Sequence, residues 1–424
     1  MNKVLIIANL LHAYPRIPGI TTYLKDYGWE PTILTIPVDI TKLGTPPGFE
    51  NNVRIIEAKY RGDMFWPIRI VLRWFGFKDS ESMIEQMKSH ARTNKPKKLI
   101  EYIAYLAHDL LAYPDPEFTW QRPVIKRASQ LLEAEHFDLI LSSSPHPTTQ
   151  IVASKISKKF DIPWIAEFRD SWVANHYYVH NRLRKHIETK LEKDTLANCK
   201  YIIAATPMIM EKQEQLHHKP TSIIYNGYDE NNINNPAIKL ADKFTITYTG
   251  TIYPYKQSPL KFLQALKNTG IQDIEVRFYG QKYSWLQDII DKLELGNFVH
   301  QYGKVSRNEV TKKQQESHVL LTFNWEDASE KGVCPLKFFE YLAARRPILA
   351  TGGIPIDAVE IIMGQTQSGS YCETTKKIED TIRYYYGKYI NHDNTFSSNT
   401  EEVNKFSYRN LAKQFTEVFN EVSK

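Results

Sequence analysis

At 424 residues the chain is too long for one ordinary hydrophobic core, and two domains are expected. A hydrophobic content of 42% with 12% aromatics excludes a disordered chain. The net charge of +6 is a modest surplus that suits an anionic partner such as a nucleotide diphosphate, a lipid phosphate or a membrane surface, and the lack of any RNP-like, zinc-finger or arginine-rich motif speaks against nucleic acid.

Met1-Asn2-Lys3 followed by Val4–Leu11 imitates a secretory leader, one positive charge and then an apolar run. It has no small-x-small cleavage site and runs directly into a loop and a helix-like segment, so it reads as a first buried parallel strand. From there, short β-branched runs alternate with helix-length amphipathic stretches, the pattern of doubly wound parallel sheets. The expected strands of the first half are Val4–Ala8, Thr32–Ile36, Val53–Glu57, Asp138–Ser143, Trp164–Phe168, Tyr201–Ala205 and Ser222–Tyr225. Residues 60–130 break the alternation with mostly helical sequence. Within it, residues 64–78 interleave Arg69, Arg73 and Lys78 with Trp66, Ile70, Trp74 and Phe77. That pattern suits a membrane interface, and equally a short helix packing its rings into a core. Asp229–Pro236 is the best linker. The second half offers Thr245–Thr249, Glu275–Tyr279, Phe298–Gln301, Val319–Phe323, Ile348–Ala350 and Ser370–Tyr371 as strands, and Phe406–Val422 as a closing amphipathic helix.

Chemistry concentrates at the ends of these strands. Glu340 is an acid on an otherwise apolar helix (Phe338, Phe339, Tyr341, Leu342) and needs a partner, because carboxylates are almost never buried alone. Lys337, one turn earlier, supplies the plain structural answer; a ligand supplies the other. Gly250–Lys256 (G-T-I-Y-P-Y-K) follows a clear strand, and Gly280 ends another. Trp164–Trp172 places Glu167, Arg169 and Asp170 at the carboxyl edge of a strand, where open α/β sheets bind ligands; an Arg169–Asp170 or Arg169–Glu167 structural pair is the bland alternative. His146 sits in the loop S-S-S-P-H-P at the end of the preceding strand, and Pro18-Gly19-Ile20 follows the first strand. Asn226-Gly227-Tyr228-Asp229 is a strong turn. No complete G-x-G-x-x-G follows the first strand, and there is no P-loop, G-x-S-x-G, H-E-x-x-H or D-x-D. The three cysteines (Cys199, Cys334, Cys372) are scattered, with no CxxC and no ligand spacing with His, which reads as a reducing compartment without a structural metal.

Taken together and in order, these segments resemble the retaining, nucleotide-sugar-dependent glycosyltransferases of the group 1, family 4 type, and within them a bacterial polysaccharide-assembly subgroup. Gly332–Ala350 is similar to the donor segment carrying a Glu-x7-Glu motif, Gly250–Lys256 to the G-R-L-x-x-x-K loop, Asn226–Asp229 to the interdomain N-G-x-D turn, and Trp164–Trp172 with Ser142–Pro147 to paired subgroup loops. Asp115 and Trp120 match a further subgroup feature of underived role.

The resemblance implies the GT-B fold: two Rossmann-like, doubly wound parallel-sheet domains facing across a cleft, with the C-terminal helix crossing back. The implied division is 1–232 for the acceptor, 233–404 for the nucleotide sugar, and 405–424 for the returning helix. It implies that Glu340 binds ribose, that Lys256 and Lys337 meet the diphosphate, that Gly250 and Thr251 belong to the donor-binding loop, and that the backbone at Gly280 passes close to the nucleotide. Thr251 stands where the family has Arg, Arg345 where a helix-ending Gly is usual, and Gly332 where the first Glu belongs; Glu326 or Glu330 as its substitute is open. Asp170, His146 and Arg169 are the implied catalytic candidates, with Gly19 and Glu167 on the acceptor side.

The implied reaction is hexosyl transfer from a UDP-, GDP- or dTDP-linked sugar to a glycan or lipid-linked acceptor, with retention, no cofactor and no metal. The implied location is the cytoplasm, either free or peripheral at the inner membrane face through residues 64–78. The alternatives are a nucleotide-sugar epimerase or hydrolase, a two-domain sugar-binding protein, and a degenerate scaffold.

Overall fold

The computed structural model describes every residue except 61, 63–112, 176–180, 234–237, 255, 327–331, 355 and 394. The 64–78 stretch, most of the 60–130 insertion, and Glu330 therefore lie outside the described residues.

Each strand expected from the sequence is a strand of the structure. The first sheet contains β1 (Asn2–Ile7), β2 (Trp29–Thr35), β3 (Arg54–Glu57), β4 (Leu139–Ser143), β5 (Trp164–Phe168), β6 (Tyr201–Ala204) and β7 (Thr221–Ile223). The second contains β8 (Phe244–Thr249), β9 (Ile274–Tyr279), β10 (Val299–Gly303), β11 (Val319–Asn324), β12 (Ile348–Gly352) and β13 (Gly369–Cys372). Their orders are β3-β2-β1-β4-β5-β6-β7 and β10-β9-β8-β11-β12-β13, with every strand pair parallel. Strand order reverses between β1 and β4 in one sheet and between β8 and β11 in the other, and such switch points open crevices at the carboxyl ends of the strands.

Central strands are buried on both faces, which is why they read as unbroken apolar runs: Val4, Leu5, Ile6 and Ile7 are all fully buried, as are Leu320, Leu321 and Leu349. The chain divides into two compact units, one of Met1–Ala205, Ile209–Ile224 and Ala412–Lys424, the other of Thr206–Met208 and Tyr225–Leu411. The end of the Tyr408–Val422 helix thus belongs with the first sheet. There Phe419 meets Trp29 edge-on at 5.1 Å, Asn420 accepts from the Trp29 indole N–H at 2.9 Å, and Phe415 lies under the Arg16 guanidinium. In the second unit the Asn226–Asp229 turn is a packing device. A methyl group on Gly227 would sit 2.3 Å from the Phe406 carbonyl oxygen, and Tyr228 exchanges backbone hydrogen bonds with Phe406 and Tyr408.

The first unit holds a fully buried ion pair. Arg16 Nε donates to Glu167 Oε1 at 2.5 Å, and its Nη2 donates to the Ile224 carbonyl at 2.7 Å. Breaking such a pair from one side leaves a buried charge uncompensated. Arg16→Met is expected to destabilise the first unit by about 3–5 kcal/mol, read as an earlier denaturant midpoint. The double variant Arg16→Met/Glu167→Leu should recover at least half of that loss; equal losses in both would show that the charge pair is not the source.

Candidate functional site

The second unit builds a site at the carboxyl ends of β8 and β9. The Leu336–Ala344 helix buries Phe338, Phe339, Tyr341 and Leu342, which leaves Lys337 and Glu340 on its less buried side. Lys337 and Glu340 do not pair. Lys337 Nζ lies 3.9 Å from the centroid of the Tyr248 ring, donates to the Tyr248 hydroxyl, and reaches the Thr251 carbonyl at 3.4 Å. Burial pushes its pKa down to about 7, with the charge of Glu340 acting in the opposite sense. Among the described residues this ammonium has no ion-pair partner. It rests on a ring face and two neutral oxygens, an arrangement that favours an arriving anion.

Glu340 instead takes Arg307 as its partner, Nη2 to Oε1 at 2.8 Å, and Gln314 approaches its other oxygen at 3.5 Å. Gln314 also donates to Thr249 Oγ1 at 3.0 Å, while the Tyr341 hydroxyl accepts from the Thr249 N–H at 2.8 Å. The helix and the end of β8 are thereby fixed to one another. Glycine supplies the clearance. Gly250 has φ 106° and Gly280 φ 146°, and a methyl group on Gly280 would sit 2.2 Å from the Gly250 carbonyl oxygen. Gly250, Thr251, Gly280, Lys337 and Glu340 are therefore brought together. Lys256 lies further along the loop, its ammonium 5.9 Å from the Trp325 ring centroid. Sequence reasoning missed Arg307, Gln314, Thr249 and Tyr248. Ser306-x-x-Glu309 announces the helix that carries Arg307 and Gln314, with Ser306 accepting from the Glu309 N–H, but carries no sign of what that helix faces.

Where the resemblance puts its first motif Glu, Gly332 adopts φ 91°. The acid that reaches its backbone N–H is Asp357, which also caps the Ala358–Thr366 helix and which burial raises to a pKa of about 6. Glu326 lies near Gly352 instead, paired with Lys261 at 3.7 Å.

In the first unit the expected residues separate. Glu167 is fully buried against Arg16, so of the two pairs considered from the sequence the Arg169–Glu167 pair is not formed. Gly19 is buried inside the short Arg16–Thr21 helix. Arg169 and Asp170 stay at the carboxyl edge, where the Ser144 hydroxyl accepts from both backbone N–H groups at 2.7 and 3.3 Å. Asp170 is exposed. Arg169 Nη1 donates to the His12 carbonyl at 2.7 Å, and the His12 ring packs edge-on against His146 at 4.5 Å. Arg169, Asp170 and His146 thus share one edge.

Residues 90–232 match the model described as Glycosyltransferase Family 4. Among solved structures the chain is similar to a glycosyltransferase from Rickettsia africae, with a TM-score of 0.63 and 13% identity over 100% of this chain and 99% of that one. It is similar to the Anabaena protein HepE in complex with UDP and glucose, with a TM-score of 0.61 and 12% identity over 99% and 100% of the two chains. Sucrose-phosphate synthase from Thermosynechococcus elongatus gives a TM-score of 0.60 and 13% identity over 99% of both. No curated protein sequence matches the chain.

The depressed Lys337 has a stability signature. Its folded pKa of about 7 lies below the ordinary Lys value near 10.4, so between those values the unfolded chain holds a proton that the folded one lacks. That contribution makes stability rise with pH across the window. The penalty for charging Lys337 is full below pH 7 and fades above it. Lys337→Met removes it, so the melting temperature of the variant minus that of the wild type should be a few degrees more positive at pH 7 than at pH 9. A difference independent of pH would refute the depressed ammonium.

Proposed function

We propose, for a chain that carries a Glycosyltransferase Family 4 domain on a GT-B fold, that it moves a hexosyl group from a nucleoside diphosphate sugar to a hydroxyl of a glycan or lipid-linked acceptor. One observation carries the reading: an ammonium without an ion-pair partner among the described residues, two strand-end glycines and a carboxylate converge at the carboxyl edge of β8 and β9. Lys337, with Lys256 from the adjoining loop, meets the diphosphate. Glu340 accepts hydrogen bonds from the ribose hydroxyls with the oxygen that Arg307 does not hold. The glycines let the nucleotide approach the backbone.

The first unit offers the acceptor along the edge that bears Arg169, Asp170 and His146. In the transfer, the bond from the anomeric carbon to the phosphate oxygen breaks as the acceptor oxygen bonds to that carbon from the same face. The hydroxyl proton passes to the departing phosphate, so configuration is retained. Charge developing on the diphosphate is stabilised by the two lysines and by the N-terminal end of the Leu336–Ala344 helix, without a metal ion on the phosphates. Among the described residues no helix is long and apolar enough to cross a membrane. Contact with an inner membrane face in cell-surface polysaccharide synthesis is assigned to residues 64–78.

UDP leads the candidate donors because a structural neighbour was solved with it. A thermal-shift panel of UDP, GDP, dTDP, CMP and free sugars tests the reading. Ligand at about 100 times its dissociation constant adds roughly 2.7 kcal/mol, a shift of a few degrees. One nucleoside diphosphate should stand clear of the rest, and Glu340→Gln and Lys256→Ala should each abolish that shift while melting like the wild type. A response to free sugars alone would identify a sugar-binding protein instead.

A further inference from the structure

Three residues from separate elements meet at the carboxyl end of the first sheet. His12 lies on the short Leu10–Ala13 helix after β1, His146 precedes the Pro147–Phe160 helix after β4, and Glu117 lies on the 3-10 turn Pro116–Trp120. One ligand atom from each, two imidazole nitrogens and a carboxylate oxygen, lies within 4.8 Å of the others.

Their surroundings hold them there. The buried Asp115 accepts from the Glu117 N–H at 2.7 Å with one oxygen and from the Thr148 N–H at 2.6 Å with the other. A single acid thus ties the turn bearing Glu117 to the helix that His146 precedes. The Tyr60 hydroxyl donates to Glu117 Oε2, Arg169 holds the His12 carbonyl, and the Thr149 hydroxyl donates to the His146 carbonyl at 2.8 Å. Outer contacts of this kind orient ligands and tune their affinity.

We propose that His12, Glu117 and His146 form a binding site for one divalent transition-metal ion, of the zinc type. Two imidazoles with one carboxylate suit a borderline ion such as Zn²⁺; magnesium and calcium favour all-oxygen sets. Zinc–ligand bonds of about 2.0–2.2 Å require the ligand atoms to close to roughly 3.3–3.5 Å. The exposed His12 supplies that movement by rotating towards the buried Glu117. Three protein ligands leave a fourth position open, the mark of a site that takes a water or a substrate oxygen and not of a closed structural site. An acceptor hydroxyl or phosphate oxygen is the chemistry that position fits. Binding of the ion rests on residues of the first unit alone and does not depend on the transferase reading, even though His146 figures in both.

The test uses untagged, full-length protein stripped with a chelator and titrated with Co²⁺, then with Zn²⁺. One equivalent of Co²⁺ should produce a visible d–d absorption that Zn²⁺ bleaches. His12→Ala and His146→Ala should each weaken binding about 100-fold or more and remove the band, and Glu117→Gln should weaken it about 10–100-fold. His12 is exposed, so His12→Ala should melt with the wild type and keep the nucleoside diphosphate shift, which separates failure here from failure of the donor site. Absence of a cobalt band, or a band that survives in the His12→Ala/His146→Ala double variant, overturns the proposal; the surviving band would assign the ion to other groups such as the cysteines.

Discussion

The corner where β8 and β9 end depends on a contact that only glycine permits. Gly250 donates its N–H to the Tyr279 carbonyl at 2.7 Å and turns its own carbonyl onto Gly280, where no side chain fits. Both residues take positive φ, open to glycine at no steric cost. The closeness of the two strand ends leaves room over Gly250 for the Lys337 side chain, since a methyl group there would press within 3.3 Å of its Nζ. Lys337 in turn lies over Tyr248, and Tyr341, one turn along the same helix, grips the Thr249 N–H. Glu340 stands between those two anchors, so its position follows from the glycine contact and not from a salt bridge with its own neighbour.

The strands were legible because a parallel strand covered on both faces must be apolar almost without interruption, and a short β-branched run can satisfy that only inside a sheet. Strand ends shifted by a residue or more: Thr32–Ile36 became Trp29–Thr35, since hydrogen bonding to a neighbouring strand continues past the point where hydrophobicity fades. The helix end at Arg345 was half legible. Sequence showed a non-glycine where a left-handed cap belongs, and the structure places Arg345 at φ 52° in that conformation. Its guanidinium donates to Ser398 and Asn404, contacts that offset the roughly 1–2 kcal/mol cost of the conformation and that no local pattern announces.

Side-chain partners were the illegible part. Spacing brought Lys337 and Glu340 within reach, but reach is not pairing when Arg307 arrives from another helix and a tyrosine ring takes the ammonium. Glu167 looked like a companion of Arg169 because strand-end charges cluster; its actual partner, Arg16, comes from the far end of the unit's sequence. Asp115 carried no readable role, and its work is to cap two elements at once, which exists only after the chain has folded. The same holds for His12, Glu117 and His146. Metal motifs are recognised by short regular spacings, and these residues share none.

Burial and mutual pairing separate Arg16 and Glu167 from Lys337 and Glu340, although Glu167 Oε2 is buried without a hydrogen-bond partner among the described residues. Arg16 and Glu167 are both wholly buried and bound to each other, with a backbone carbonyl taking a further donor, so the pair specifies one packing of the first unit and presents nothing to solvent. Lys337 shows the opposite economy: its protonated state is disfavoured by burial, and its contacts are a ring and neutral oxygens. Glu340 is intermediate, one oxygen held at 2.8 Å by a partly exposed guanidinium and the other only grazed by Gln314 at 3.5 Å. An incoming anion relieves the first deficit and hydroxyl donors relieve the second. The nucleoside diphosphate of the proposed reading carries both groups on one molecule.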